Sequence, residues 1–303
     1  MSELRFDDRV AVVTGAGRGL GCAYARLLAE RGAKVVVNDP GGGLAGDGAD
    51  SAPAERVVDA IRADGGEAVA CTGSVATSDG AAAIIGTALE HYGRIDALIH
   101  NAGNVRRAPL AEMSSEDFDA VLDVHLRGAF NVVRQAFPVM TGAGYGRIVL
   151  TSSIGGLYGN HEVANYAAAK AGVIGLSNVV ALEGAPYGVA CNVIVPAAVT
   201  RMAEGIDTSA YPPMGPELVA PVVGWLAHES CLVTGEMYVA LAGRVARAVI
   251  AESPGVYRPA WTVEDVAGHL DEVRNMQAPL TFPVVPDGHN EHIRYSFGLA
   301  NGG

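Results

Sequence analysis

The chain has 303 residues, 50% of them hydrophobic, enough for one large α/β core without division into two domains. Its 33 acidic and 21 basic residues leave a net charge of −12, which argues against a nucleic-acid or anionic-membrane surface but leaves room for a local basic mouth. Cys22, Cys71, Cys191 and Cys231 lack paired metal spacing and suggest no disulfide framework, and no stretch is apolar enough for a signal peptide or membrane span.

Arg9-Val10-Ala11-Val12-Val13-Thr14 is a β-branched run, predicted as a buried strand. It feeds Gly15-Ala16-Gly17-Arg18-Gly19-Leu20-Gly21 and then a helix through Ala23 to Ala29. Glycines there allow a tight turn and close approach to a pyrophosphate, while the helix N-terminus offers free N–H groups. Ala33 to Asp39 is a second strand, ending in an acid roughly 20 residues after the turn. A carboxylate at Asp39 can accept both ribose hydroxyls and repels a 2′-phosphate, so NAD is expected over NADP. Arg18 is the counter-signal.

Pro40 to Asp50 is glycine-rich and is expected to form neither helix nor strand. Helix patterning resumes at Glu55–Arg62, followed by a strand at Glu67–Cys71 that ends near Ser74-Val75. A helix over 81–92 leads to the strand Ala97–His100, closed by Asn101-Ala102-Gly103. Helices alternate with continuously apolar strands, which indicates a parallel sheet covered on both faces.

Ser114 caps a helix with an acidic first turn, expected to run to about Phe137, where Pro138 interrupts it. A strand over 147–151 places Ser153 at its carboxyl end, and a helix carries Tyr166 to Glu183. Both helices have broad apolar faces, which fit burial against their own sheet or against a second subunit equally well. Tyr166 and Lys170, four apart, share a helix face, and an ammonium beside a phenol lowers the phenol's pKa. That combination makes a proton acceptor suited to alcohol oxidation or ketone reduction. Tyr-x-x-x-Lys by itself recurs by chance, and the glycine turn supplies the context that makes it meaningful.

Ala190–Val195 is a strand stopped by Pro196, and 197–216 reads as a substrate flap. A helix over 217–229 precedes the last core strand, Met237–Ala240. Thr262 to Asp265 starts a further helix, after which Pro279, Pro283, Pro286 and Gly288 break regular structure. His289 and His292 suit a solvated tail better than a metal site. The tail is expected to cover a subunit surface or the substrate mouth. Early acids (Glu3, Asp7, Asp8) and a terminal Asn301-Gly302-Gly303 that is no peroxisomal address make the cytoplasm the expected compartment.

Thr14-Gly15-x-x-x-Gly19-x-Gly21, Asn101-Ala102-Gly103, Ser153 and Tyr166-x-x-x-Lys170, in this order and spacing, resemble the short-chain dehydrogenase/reductase family. Leu4-Arg5-Phe6-Asp7, Asn38-Asp39 with the glycine-rich insertion, Val124 to Gly128, Tyr158-Gly159-Asn160, Arg201-Met202 and Trp225 to Cys231 resemble its (3R)-hydroxyacyl-CoA dehydrogenase branch, found in multifunctional β-oxidation enzymes. The resemblance implies a doubly wound parallel sheet of Rossmann type over residues 1–245, with residues 246–303 as an extension on the same domain or on a partner subunit. It implies that Tyr166 removes the hydroxyl proton, Lys170 holds the nicotinamide ribose and depresses the Tyr166 pKa, and Ser153 holds the reacting oxygen. It places Gly15, Arg18, Gly19, Leu20, Gly21, Asp39, Ser74, Val75, Asn101, Ala102, Gly103, Val199, Tyr166 and Lys170 around NAD.

His125 stands where most members use Asn in a proton relay, as in the hydroxyacyl-CoA branch, and is carried as a catalytic candidate. Ser74 replaces a common Asp near adenine, and Ala197 replaces a Gly after Pro196. The implied substrate is an acyl-CoA thioester, whose phosphates Arg106, Arg107 and Arg201 could meet, and the implied assembly is a homodimer or homotetramer. A steroid or another secondary alcohol is the alternative substrate. A non-catalytic NAD-binding protein is the alternative of a different class.

Overall fold

The computed structural model describes residues 3–200 and 210–301. In chain order the first half runs β1 (Val10–Thr14), α1 (Gly19–Glu30), β2 (Lys34–Asn38), α2 (Ala52–Ala63), β3 (Glu67–Cys71), α3 (Ser78–Tyr92) and β4 (Ala97–His100). Next come α4 (Ser115–Leu122), a π-helical turn (Asp123–Arg127), α5 (Gly128–Ala143), β5 (Gly146–Thr151), α6 (Ile154–Tyr158), α7 (Ala164–Gly184) and β6 (Val189–Ala197). After the partly described segment 198–219 follow α8 (Ala220–Ala227), β7 (Met237–Leu241), β8 (Arg244–Ala248), α9 (Val263–Gly268), α10 (Leu270–Val273) and α11 (Gly288–Ala300). Arg201 and Met202, matched above to the hydroxyacyl-CoA branch, lie outside the described residues.

β1, β4 and β5 are buried at every residue, so each needs cover on both faces. They lie in one eight-stranded sheet of order β3-β2-β1-β4-β5-β6-β7-β8, with parallel pairing from β3 through β7. α1, α2 and α8 close one face through a cluster that includes Tyr24, Leu28, Val57, Ile61, Val223 and Leu226. α3, α5 and α7 pack in a second layer. The chain winds outward from β1 to β3, then returns to β4 on the other side of β1. That reversal opens a crevice at the carboxyl ends of β1 and β4.

Four expectations about termination are corrected. α5 continues through Pro138 to Ala143, because buried Ala136 and Met140 keep its last turns on the sheet at the cost of one ladder hydrogen bond. β6 passes Pro196 and ends at Ala197: pairing with β5 ends at Ile194, so Pro196 has a strand neighbour only in β7. Beyond β7 the sheet gains β8 through Ala242 (φ 48°) and Gly243 (φ 79°), both left-handed as in a type I′ reversal. α11 begins at Gly288, after the last proline, and runs for 13 residues. The chain divides into two compact units, Met1–Arg247 and Ala248–Gly303.

Candidate active site

Thr14 at the end of β1 organises the crevice. Its hydroxyl accepts the amide N–H groups of Asn101 (3.1 Å) and Ala102 (3.2 Å), so its own hydrogen is directed to His100 Nδ1 at 3.1 Å. His100 therefore keeps its proton on Nε2 and donates to the His125 carbonyl at 3.3 Å. Burial, reinforced by the Lys170 charge, pushes the His100 pKa down to about 3, which fits this neutral tautomer. Asn101 Nδ2 donates to the carbonyls of Thr14 (3.3 Å) and Gly15 (3.2 Å), tying the glycine turn to the end of β4.

The turn closes only with glycine. Gly15 has φ +64°, and a Cβ at Gly21 would lie 2.2 Å from the Gly15 oxygen. α1 has Arg18 at its N-cap position, with no side-chain cap hydrogen bond and no acid in its first turn, so its first N–H groups suit a pyrophosphate. Asp39 is fixed by Gly17 N–H on Oδ2 (2.9 Å) and Gly41 N–H on Oδ1 (2.8 Å), which aims a carboxylate at the turn. These features fit a dinucleotide.

The remaining candidates gather around this cradle. Leu20 packs partly on the core cluster. Ser74 and Val75 follow β3, where Val75 O accepts Asn131 Nδ2 at 3.0 Å. Gly103 lies so close to His125 that a Cβ would meet Cε1 at 2.4 Å. Val199 N–H donates to Met214 O at 2.7 Å, and the next residue, Thr200, brings its Cγ2 to 3.3 Å from a Cβ built on Gly19.

α7 carries Tyr166 and Lys170. Lys170 Nζ donates to the Thr151 carbonyl at 2.6 Å and lies 5.6 Å from the Tyr166 ring centre. Ser152 is committed elsewhere, its hydroxyl donating to Lys170 O at 2.7 Å. Ser153 caps α6, accepting Gly155 N–H at 3.1 Å, and its Oγ and the Tyr166 ring both lie beside Gly155. The expected depression of the Tyr166 pKa by Lys170 is corrected. Burial raises the phenol, opposed by the nearby Ser153 hydroxyl and by the charge of Arg107. Burial also pulls Lys170 down to about 7, so the ammonium is itself desolvated.

His125 lies in the π-helical turn, a distortion often found at functional positions, and is buried edge-on to Tyr166 with ring centres 5.1 Å apart. Its Nε2 is 2.8 Å from Asn104 O and 3.1 Å from Asn104 N, contacts that suit opposite tautomers. Nδ1 is buried without a hydrogen-bond partner among the described residues, and burial with the Lys170 charge holds the ring well below its ordinary pKa.

Several positioning residues were not foreseen. Asn165 accepts Tyr166 N–H at 2.7 Å and donates to the carbonyls of Arg106 and Asp117, both at 3.0 Å. The glycine-rich insertion is a strap: Leu44 O accepts Val105 N–H (3.1 Å), and Ala45 O accepts from Asn104 Nδ2 (3.4 Å) and Arg106 Nε (3.1 Å). Asn165 had a signal in its place beside Tyr166. The strap had none, because glycine runs look the same whether loose or pinned. Among the described residues, no three His, Cys, Asp or Glu side chains form a metal-ligating group, and no helix is long and apolar enough to cross a membrane.

Against this geometry, the short chain dehydrogenase family model matches residues 9–209. Peroxisomal multifunctional enzyme type 2 of Drosophila melanogaster is 52% identical over 259 residues, covering 85% of this chain but only 43% of the fly protein. A short-chain type dehydrogenase/reductase of Mycobacterium tuberculosis is 46% identical over 271 residues, covering 89% of this chain and 95% of its own length. The full-length fly enzyme's solved structure superposes with a TM-score of 0.80 and 40% identity over 99% of this chain and 51% of that one.

Proposed function

From the premise that the chain belongs to the short-chain dehydrogenase family, we propose that it transfers hydride between a secondary alcohol and NAD, with a (3R)-3-hydroxyacyl-CoA as substrate. The observation that carries this reading is the gathering of Ser153 Oγ and the Tyr166 ring beside Gly155, with buried Lys170 Nζ 5.6 Å from the ring centre. Bound in the cradle, the nicotinamide supplies the hydride acceptor and a positive charge that favours the phenolate. Tyr166 takes the hydroxyl proton, and Ser153 holds the reacting oxygen. Lys170 holds the ribose and exchanges protons near its pKa of about 7. His125 closes the buried side of this group and is a positioning residue for Tyr166.

Asp39 supports NAD: its charge faces the turn, where a 2′-phosphate would meet repulsion. The motifs shared with the hydroxyacyl-CoA dehydrogenase branch support the thioester. Exposed apolar residues on α5 and α7, Phe130 at 48% and Val179 at 50%, support a homodimer or homotetramer.

The test is NAD reduction followed by absorbance across a series of (3R)-hydroxyacyl-CoA thioesters. Tyr166→Phe is expected to lower kcat by about 10²- to 10⁴-fold while leaving NAD binding intact. A Phe variant that turns over like the wild type would remove Tyr166 from the chemistry and this reading with it.

A further inference from the structure

The loop leaving β4 is pinned on both sides of Arg107. Before it, Arg106 is spent inside the protein: its carbonyl accepts Asn165 Nδ2 at 3.0 Å, NH1 pairs with Asp117 Oδ1 at 3.0 Å, and Nε donates to Ala45 O at 3.1 Å. After it, Ala108 N–H donates to Glu162 O at 3.0 Å, joining the loop to the segment just before α7. Arg107 itself is exposed and, among the described residues, has no hydrogen-bond or ion-pair partner. Its charge nevertheless acts on Tyr166, so a fixed backbone holds an unspent guanidinium within the field of the reacting phenol.

We propose that Arg107 is a specificity-determining residue, docking a negatively charged part of the substrate outside the reacting carbon. This rests on the thioester reading above, in which the anion is a coenzyme A phosphate. A protein of net charge −12 repels an anionic substrate at long range, so productive approach needs a local cation. Of the neighbouring cations, Arg106 is neutralised by Asp117 and Lys170 is buried against Thr151 O. Only Arg107 remains open to solvent in this loop. Guanidinium suits the task because it stays charged throughout the working pH range and offers paired donors to phosphate oxygens.

The test compares kcat/KM for one (3R)-hydroxyacyl group carried on coenzyme A and on N-acetylcysteamine, a neutral thioester. Wild type, Arg107→Lys, Arg107→Gln and Arg107→Glu are measured at low and high salt, with melting temperature and NAD binding as checks of fold. We expect the ratio of the coenzyme A value to the neutral-thioester value to fall about tenfold in Arg107→Gln and further in Arg107→Glu, with Lys retaining part of it, while a smaller loss common to both thioesters reports the Arg107 charge on Tyr166. Added salt should lower the wild-type coenzyme A value but not that of Arg107→Gln. Equal losses on both thioesters would overturn the docking role and assign Arg107 to Tyr166 alone. Unchanged values on both would overturn it outright. A wild type active on the neutral thioester but not on coenzyme A would remove the substrate reading, and an unspent Arg107 would then have no phosphate to meet.

Discussion

Lys170 shows at the residue scale what burial does to a charge. Its ammonium donates to the Thr151 carbonyl, and burial takes its pKa from 10.5 to about 7. The folded protein therefore releases this proton before the unfolded chain does. Below about pH 7 both states hold the proton and the desolvation penalty is complete; between pH 7 and 10.5 the unfolded chain holds more protons, so stability rises with pH. Urea unfolding of the nucleotide-free protein at pH 6.5 and 9.5 should show wild type gaining on Lys170→Met as pH rises. A constant gap would mean that the lysine stays charged in the fold. Asp39 gives a second residue-scale prediction: Asp39→Ala should raise KM for NAD by about tenfold, the scale of a lost charge-assisted hydrogen bond, and should improve use of NADP. That Ser153, Tyr166 and Lys170 come together was legible in the sequence, because their types and spacing are those of the family motif. The rise of the Tyr166 pKa was not, since it depends on how much solvent the folded chain removes.

At the scale of elements, the strap bridges the carboxyl ends of β2 and β4, across the turn after β1. Gly46 makes this geometry possible, with φ +93° and a position where a Cβ would lie 2.7 Å from Asn104 Nδ2. Gly46→Ala should therefore loosen the strap and speed NAD dissociation by about fivefold, the scale of one neutral hydrogen bond, in a stopped-flow displacement measurement. An unchanged rate would separate the strap from nucleotide retention. Strands such as β1, β4 and β5 were legible because continuous burial leaves continuous apolar runs. Endings were less so. Pro138, Pro196 and the prolines before α11 are local penalties, and the first two are overridden by packing that lies far away in sequence.

For the whole molecule, burial is divided unevenly. Within residues 248–301, Gly288 is the one buried residue among those described, whereas β1, β4 and β5 are buried from end to end. Native-state hydrogen exchange should find the slowest amides in those central strands and the fastest helical amides in α9–α11, because exchange follows local opening. Equal protection in both units would contradict this division. The sheet was readable from alternation of helices and strands, but the eighth strand depended on a reversal through Ala242, a residue that does not advertise a left-handed turn.

The π-helical turn between α4 and α5 places one extra residue in an otherwise continuous helical rod. Because that turn takes up the extra residue within about one helical rotation, α4 keeps the face it sets against α7 and α5 the face it sets against α3. Deleting one residue of 123–127 would remove the bulge and leave both faces in phase, but would shift His125 from its place edge-on to Tyr166. In evolutionary terms, a change of length here costs the site more than it costs the packing.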